Sequence, residues 1–265
     1  MTAAPPPNHV CAAFGVAPEQ LQPLTGGSGP VWQADRVVLK RVADTAEAAW
    51  IAQTLDTLEV EAVRLARPLR STDGRWVVGG WTAARHVAGR PRPRHDEVVA
   101  VSVRLHRATA ALPRPRFLAN RTHLYAAADR AAWGEARVEL GTDAGAALFA
   151  ELTRHRRPVE LPSQIVHGDL FGNVLFAGSA PPAVIDFSPY WRPAEWAAAV
   201  IVVDALAWGG ADAGLVERWA SLAEWSQSLL RALLFRIAAH ALHPHSTPES
   251  FAGLHRAAQI IRALL

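Results

Sequence analysis

The pattern of hydrophobic and polar positions changes character near residue 90. Before that point apolar residues fall in short runs. Val31-Trp32-Gln33-Ala34 and the β-branched Val37-Val38-Leu39-Lys40-Arg41-Val42 follow the break at Gly26-Gly27-Ser28-Gly29, which predicts a hairpin and a buried strand. Asp44-Thr45-Ala46-Glu47 has the form of a capping box, and Ala48, Ile51, Leu55 and Leu58 keep helical spacing, so one helix follows the strand that carries Lys40. Residues 63–69 and 75–81 read as two more strands around the turn Ser71-Thr72-Asp73-Gly74. Beyond Arg90-Pro91-Arg92-Pro93-Arg94 the pattern becomes helical, with Val98, Val101 and Leu105 on one face of residues 97–109. Helical segments over 122–134 and 143–156, extended chain into 167–173, and helices from residue 194 onward complete the chain. The expected architecture is α+β. It comprises a flexible lead-in over 1–20, a small antiparallel sheet with one helix over 21–88, and a larger, mostly helical lobe over 89–265.

Composition narrows the class. An apolar fraction of 50% over 265 residues supports a sizeable core. Cys11 is the only cysteine, which excludes a disulfide framework and a cysteine metal cluster and suits a reducing compartment. The proline-rich start lacks the basic-then-apolar pattern of a secretory signal. The most apolar stretch, 196–208, is interrupted by Asp204 and is shorter than the roughly 20 residues a bilayer requires. A cytoplasmic protein without membrane contact is expected. The net charge of +3 comes from scattered basic residues, with residues 90–94 as the one local cluster, and no nucleic-acid partner is expected. Of the 27 basic residues, Lys40 alone is lysine. Where arginine has replaced lysine throughout, the surviving ammonium points to a position that needs a compact charge.

Four segments carry candidate chemistry. Gln164-Ile165-Val166 leads into His167-Gly168-Asp169-Leu170-Phe171-Gly172-Asn173, and Ala183-Val184-Ile185 leads into Asp186. Two aspartates 17 positions apart, each just after a buried strand, are difficult to explain by packing, because unpaired buried carboxylates are costly. Asp169 is suited to orient a substrate hydroxyl, with His167 as the scaffold of its loop, and Asp186 and Asn173 are suited to hold a hard cation through oxygen. Gly26, Gly27, Ser28 and Gly29 would let backbone amides approach phosphates, or form an ordinary hairpin turn. Lys40 would reach those phosphates, and Glu47 either pairs with Lys40 or completes the box with Asp44. Together these parts fit phosphoryl transfer, in which positioning and charge neutralisation dominate.

The order of these motifs resembles the aminoglycoside phosphotransferase and choline kinase family, and within it the short single-domain members of unassigned substrate. The resemblance covers roughly residues 20 to 210, with specific motifs at 167–173 and 184–187. It implies a two-lobed protein-kinase-like fold with a hinge near 81–87, ATP and magnesium, Asp169 as catalytic base, Asn173 and Asp186 as metal ligands, and Lys40 on the phosphates. Two departures stand out. Asn173 lies four residues after Asp169, one fewer than the family pattern, which requires a tighter path through Gly172 or removes the asparagine from the metal. Asp186 is followed by Phe187-Ser188-Pro189-Tyr190-Trp191 in place of Gly-Asp-Pro, a segment that reads either as a wall of the substrate cleft or as a loop packing its aromatics. From Asp169 to the end, eight acidic residues stand against six arginines. That balance offers no acidic surplus for a polycation, so a neutral or anionic small hydroxylated acceptor is expected. The alternative is a non-catalytic, pseudokinase-like nucleotide-binding regulator. Oligomeric state is not legible.

Overall fold

The computed structural model describes residues 4–24, 30–140 and 144–265. Its chain divides into two compact units, residues 1–91 with 174–187, and residues 92–173 with 188–265. The expected boundary at 88/89 is close to the first crossing of the chain. The return of 174–187 to the first unit was not expected.

In the first unit, helix α1 (Asn8–Ala13) precedes strands β1 (Gln22–Pro23), β2 (Val31–Ala34) and β3 (Val37–Arg41), helix α2 (Thr45–Thr57), and strands β4 (Arg64–Leu65), β5 (Pro68–Leu69), β6 (Val77–Val78) and β7 (Trp81–Arg85). An antiparallel sheet runs β1-β2-β3-β7-β5, with β6 also on β7. Two expectations are corrected. The segment 1–20 is not merely a lead-in: Val10 and Cys11 on α1 are fully buried in one core cluster with Leu39, Val78, Trp81 and Ala83, because a short apolar helix covers a sheet face that water would otherwise reach. The supposed hinge at 81–87 is largely β7, the central strand, with Trp81 and Ala83 inward; its alanines and arginine are weak strand formers that hid the alternation.

The run 63–69 is not one strand. It splits into β4 and β5, which join different sheets. β4 pairs in parallel with β10 (Ala183–Val184), which pairs antiparallel with β9 (Val174–Leu175). Arg64 Nε donates to Pro181 O at 2.8 Å, and the Ala66 amide donates to Val184 O at 3.0 Å. These bonds carry 174–187, and Asp186 with it, into the first unit.

The second unit holds α3 (His95–Thr109), α4 (Phe117–Asn120), α5 (Leu124–Trp133), α6 (Ala144–Thr153), the antiparallel pair of β8 (Gln164–His167) with β11 (Pro189–Arg192), and helices α7 (Ala194–Trp208), α8 (Gly214–Arg218), α9 (Trp225–Leu242) and α10 (Pro248–Arg262). α7 is buried from Trp196 to Ala207, as a helix apolar on every side must be. It packs on α3, α9 and α10, while α5 and α6 pack on α9. The segment after Phe187, read as a wall of the substrate cleft or as a loop packing its aromatics, forms strand β11. Its Tyr190 is buried against Trp196 and Phe235 with ring centroids at 5.5 and 5.8 Å, so the packing alternative holds. Among the described residues no helix is long and apolar enough to cross a membrane.

Candidate active site

In the second unit, β8 delivers the chain into the 167–173 loop over a buried, hydrogen-bonded floor. The His167 amide donates to His106 Nε2 at 2.9 Å, and His106 Nδ1 lies 3.1 Å from Ser102 Oγ. An Nε2 that accepts places the ring proton on Nδ1, so His106 is neutral. Burial, with His167 adding to it, lowers the His106 pKa to about 3. His167 is itself fully buried, and its Nδ1 accepts the Asp169 amide at 3.1 Å. Buried and bonded in this way, His167 holds the loop from beneath.

The remainder of the loop is shaped by two glycines. A Cβ on Gly168 would come within 2.6 Å of Tyr190 Cε2, so only glycine passes beneath that ring. Gly172 has φ +83°, a left-handed conformation that a side chain disfavours. The turn it makes closes with the Asn173 amide on Leu170 O at 3.0 Å. Asn173 Nδ2 then donates to Asp169 O at 2.7 Å and lies 3.4 Å from Asp169 Oδ2. The chain thus takes a tight path through Gly172, with the side-chain amide of Asn173 beside Asp169. Phe171 stacks on His95 with centroids 6.0 Å apart.

Asp169 is half-exposed, and its Oδ1 accepts Arg236 Nη2 at 2.9 Å. Arg236, on α9, also donates through Nε to Asp204 Oδ1 at 2.7 Å and through Nη2 to Asp204 Oδ2. Asp204 lies on α7 and is 1% exposed. Burial pushes its pKa up to about 6 against the pull of the Arg236 guanidinium. Burial alone would lower the pKa of Arg236, but the carboxylates of Asp204 and Asp169 outweigh it and hold the guanidinium above its ordinary value. Arg236 was not singled out from the sequence. The available signal was an aspartate inside an otherwise apolar run, 204 within 196–208, and two arginines, 231 and 236, inside the apolar helical run 229–237. Such residues are buried only when paired.

In the first unit, Lys40 on β3 sits opposite Val31 and Thr82. Its Nζ donates to Asp186 Oδ1, with the two side chains 30% and 31% exposed. Asp186 follows β10 at φ +50°. For a residue with a side chain this is a left-handed strain, of the kind concentrated at functional sites. Asp44 caps α2, its Oδ1 accepting the amides of Ala46 and Glu47 at 2.8 and 3.0 Å. Lys40 and Asp186 are thus brought together, as are Asp169, Asn173 and His167. Gly26, Gly27, Ser28 and Gly29 lie outside the described residues.

A half-exposed carboxylate on a buried scaffold, and a lysine beside a second carboxylate after an apolar strand, are the kinds of group that phosphoryl transfer uses. The family model described as Phosphotransferase enzyme family (APH) matches residues 21–190, and the chain belongs to that family. Among solved structures it is similar to the amicoumacin kinase hAmiN in complex with AMP-PNP, Ca2+ and Ami, at 14% identity over 97% of this chain and 92% of that one, with a TM-score of 0.66. A microcompartment-associated aminopropanol kinase is also similar, at 14% identity over 96% and 94%, TM-score 0.66. So is a thermostable mutant of the aminoglycoside phosphotransferase APH(4)-Ia in ternary complex with AMP-PNP and hygromycin B, at 15% identity over 96% and 97%, TM-score 0.63. These likenesses show a kinase-like fold. No curated protein matches the sequence.

Proposed function

We propose that the protein transfers the γ-phosphoryl group of Mg-ATP to a hydroxyl of a small molecule. The observation that carries this reading is Asp169: a half-exposed carboxylate fixed at Oδ1 by Arg236, with Oδ2 turned to Asn173 and outward. Relatives of this fold solved with AMP-PNP, and with Ca2+ in one case, support a nucleotide and a divalent cation.

In the proposed reaction the acceptor oxygen forms a bond to the γ-phosphorus as the bond from that phosphorus to the bridging oxygen breaks. ADP leaves with the electron pair, and the hydroxyl proton passes to Asp169 and on to solvent. The residues suit a hard cation, since Asp186 offers carboxylate oxygens and Asn173, with its Nδ2 engaged, keeps its Oδ1 as an acceptor. Bound magnesium would neutralise phosphate charge. Lys40, freed from Asp186 when phosphates arrive, would pair with them as a point charge. The orienting of the hydroxyl falls to Asp169, and the rigidity of its loop to His167, His106 and Gly168.

The acceptor in this reading is neutral or anionic. In the second unit the carboxylates of Asp129 and Glu135 are both taken up by Arg192, at 2.8 and 2.6 Å, and Asp204 by Arg236, so these three are already neutralised within the protein and do not serve to draw a polycation. The test is a panel of amino sugars against neutral and anionic alcohols with Mg-ATP. Phosphorylation confined to the amino sugars would reject this acceptor class. Stabilisation by Mg-ATP with no turnover that depends on Asp169 would favour the nucleotide-binding regulator instead.

A further inference from the structure

We infer that Arg236, locked in place by Asp204, is the positioning residue of Asp169, setting which carboxylate oxygen meets the acceptor. The inference rests on the phosphotransfer reading and adds to it a device that the family motif does not contain. A half-exposed aspartate at a loop end has rotamer freedom to lose before it can act. Here one oxygen is taken. Arg236 Nη2 holds Asp169 Oδ1 at 2.9 Å, leaving Oδ2 with Asn173 Nδ2 at 3.4 Å as its nearest protein donor.

The fork is fixed from behind. Nε and Nη2 of Arg236 both engage Asp204, whose 1% exposure on α7 gives it no alternative partner in water. A planar guanidinium gripped along one edge has its remaining direction determined, which an ammonium on a flexible stem does not. The charge count agrees with this role. Asp204 cancels Arg236, so the pair supplies Asp169 with geometry and leaves its negative charge uncompensated for the proton it must accept. A pair that served only the core would end at Asp204; this one extends to a carboxylate that is half in solvent.

The test uses the slow hydrolysis of Mg-ATP, with water in place of the acceptor, in wild type and in Arg236→Lys, Arg236→Ala, Asp204→Asn and Asp169→Ala. Misplacing a reacting group by about 1 Å costs on the order of 100-fold. Arg236→Lys and Asp204→Asn are therefore expected to lose about 10- to 100-fold in kcat with KM for ATP within about twofold of wild type. Millimolar guanidinium is expected to restore part of the lost kcat in Arg236→Ala and none in Asp169→Ala. If Arg236→Ala does not fold, the kcat and KM of the other two variants decide alone. A kcat within twofold of wild type in folded Arg236→Lys and Asp204→Asn overturns the inference while Asp169→Ala remains inactive. So does a kcat loss matched by KM. Turnover that survives Asp169→Ala overturns instead the phosphotransfer reading on which the inference stands.

Discussion

Asp169 and Asp186, each within its own unit, are held in opposite ways. Asp169 sits on a floor of buried groups, with His106, His167 and Tyr190 beneath its loop and the Arg236–Asp204 pair fixing one oxygen. Asp186 follows a two-residue strand on a left-handed backbone, and its ion-pair partner, Lys40, is as exposed as it is. Burial makes the first arrangement expensive to disturb. Partial exposure makes the second an exchangeable pair of modest worth. The difference suits the roles proposed: a carboxylate that must keep one geometry through every turnover, and one that must release a lysine and take up a cation each time.

The comparison can be broken most directly at Asp204. Asp204→Ala leaves Arg236 buried without its main partner, and loss of one member of such a pair costs about 3–5 kcal/mol. Urea unfolding should show a loss of that order, whereas Lys40→Ala should change stability by less than about 1 kcal/mol. An equal loss in both variants would erase the distinction between the two carboxylates. In activity the two sites separate by parameter, with Asp204 variants lowering kcat and Lys40→Ala raising KM for ATP by about tenfold, the worth of roughly one charge-assisted hydrogen bond.

Gly168→Ala sharpens the account of the floor. The added methyl must displace the Tyr190 ring, at a cost of about 1–3 kcal/mol for overpacking, and a thermal melt together with the turnover rate would register it. Gly172→Ala, open to solvent but at φ +83°, should cost only about 1 kcal/mol.

Stability should also depend on pH. His106 is held neutral, with its pKa lowered to about 3 from 6.5. Between those values the unfolded chain binds the extra proton, so the stability His106 contributes is present above pH 6.5 and is lost as pH falls, by about 1.4 kcal/mol per unit. Asp204, raised to about 6 from 3.8, acts with the opposite sign, gaining stability as pH falls through 6. The His106 share is therefore read as the difference in slope between wild type and His106→Gln from pH 7 to 5, and equal slopes would contradict the neutral, buried imidazole.

How much of this was legible in the sequence depended on how local each feature is. The 167–173 loop, Lys40 and Asp186 were readable because strand and loop chemistry are written in adjacent residues. The helices over 45–57, 95–109 and 124–133 followed from periodicity. The assignment of 174–187 to the first unit was not readable, since it depends on the pairing of Arg64-Leu65 with Ala183-Val184 across more than a hundred residues. Burial of α1 was masked by its proline-rich approach. Arg236 was hidden by distance along the chain: its partner Asp204 had been noted, but nothing local connects residue 204 to 236 or either to 169. The short spacing to Asn173 read as a tighter path through Gly172 or as an asparagine removed from the metal, and the left-handed backbone that makes the turn at Gly172 is visible only in the structure.

The central claim is that Asp169 acts in phosphoryl transfer, and Mg-ATP turnover by wild type against Asp169→Ala tests it most directly. The account predicts Mg-ATP-dependent thermal stabilisation of both proteins and turnover in wild type alone, with a loss of about 100-fold or more in the variant. Equal turnover in the two proteins, or stabilisation of both with turnover in neither, would contradict it.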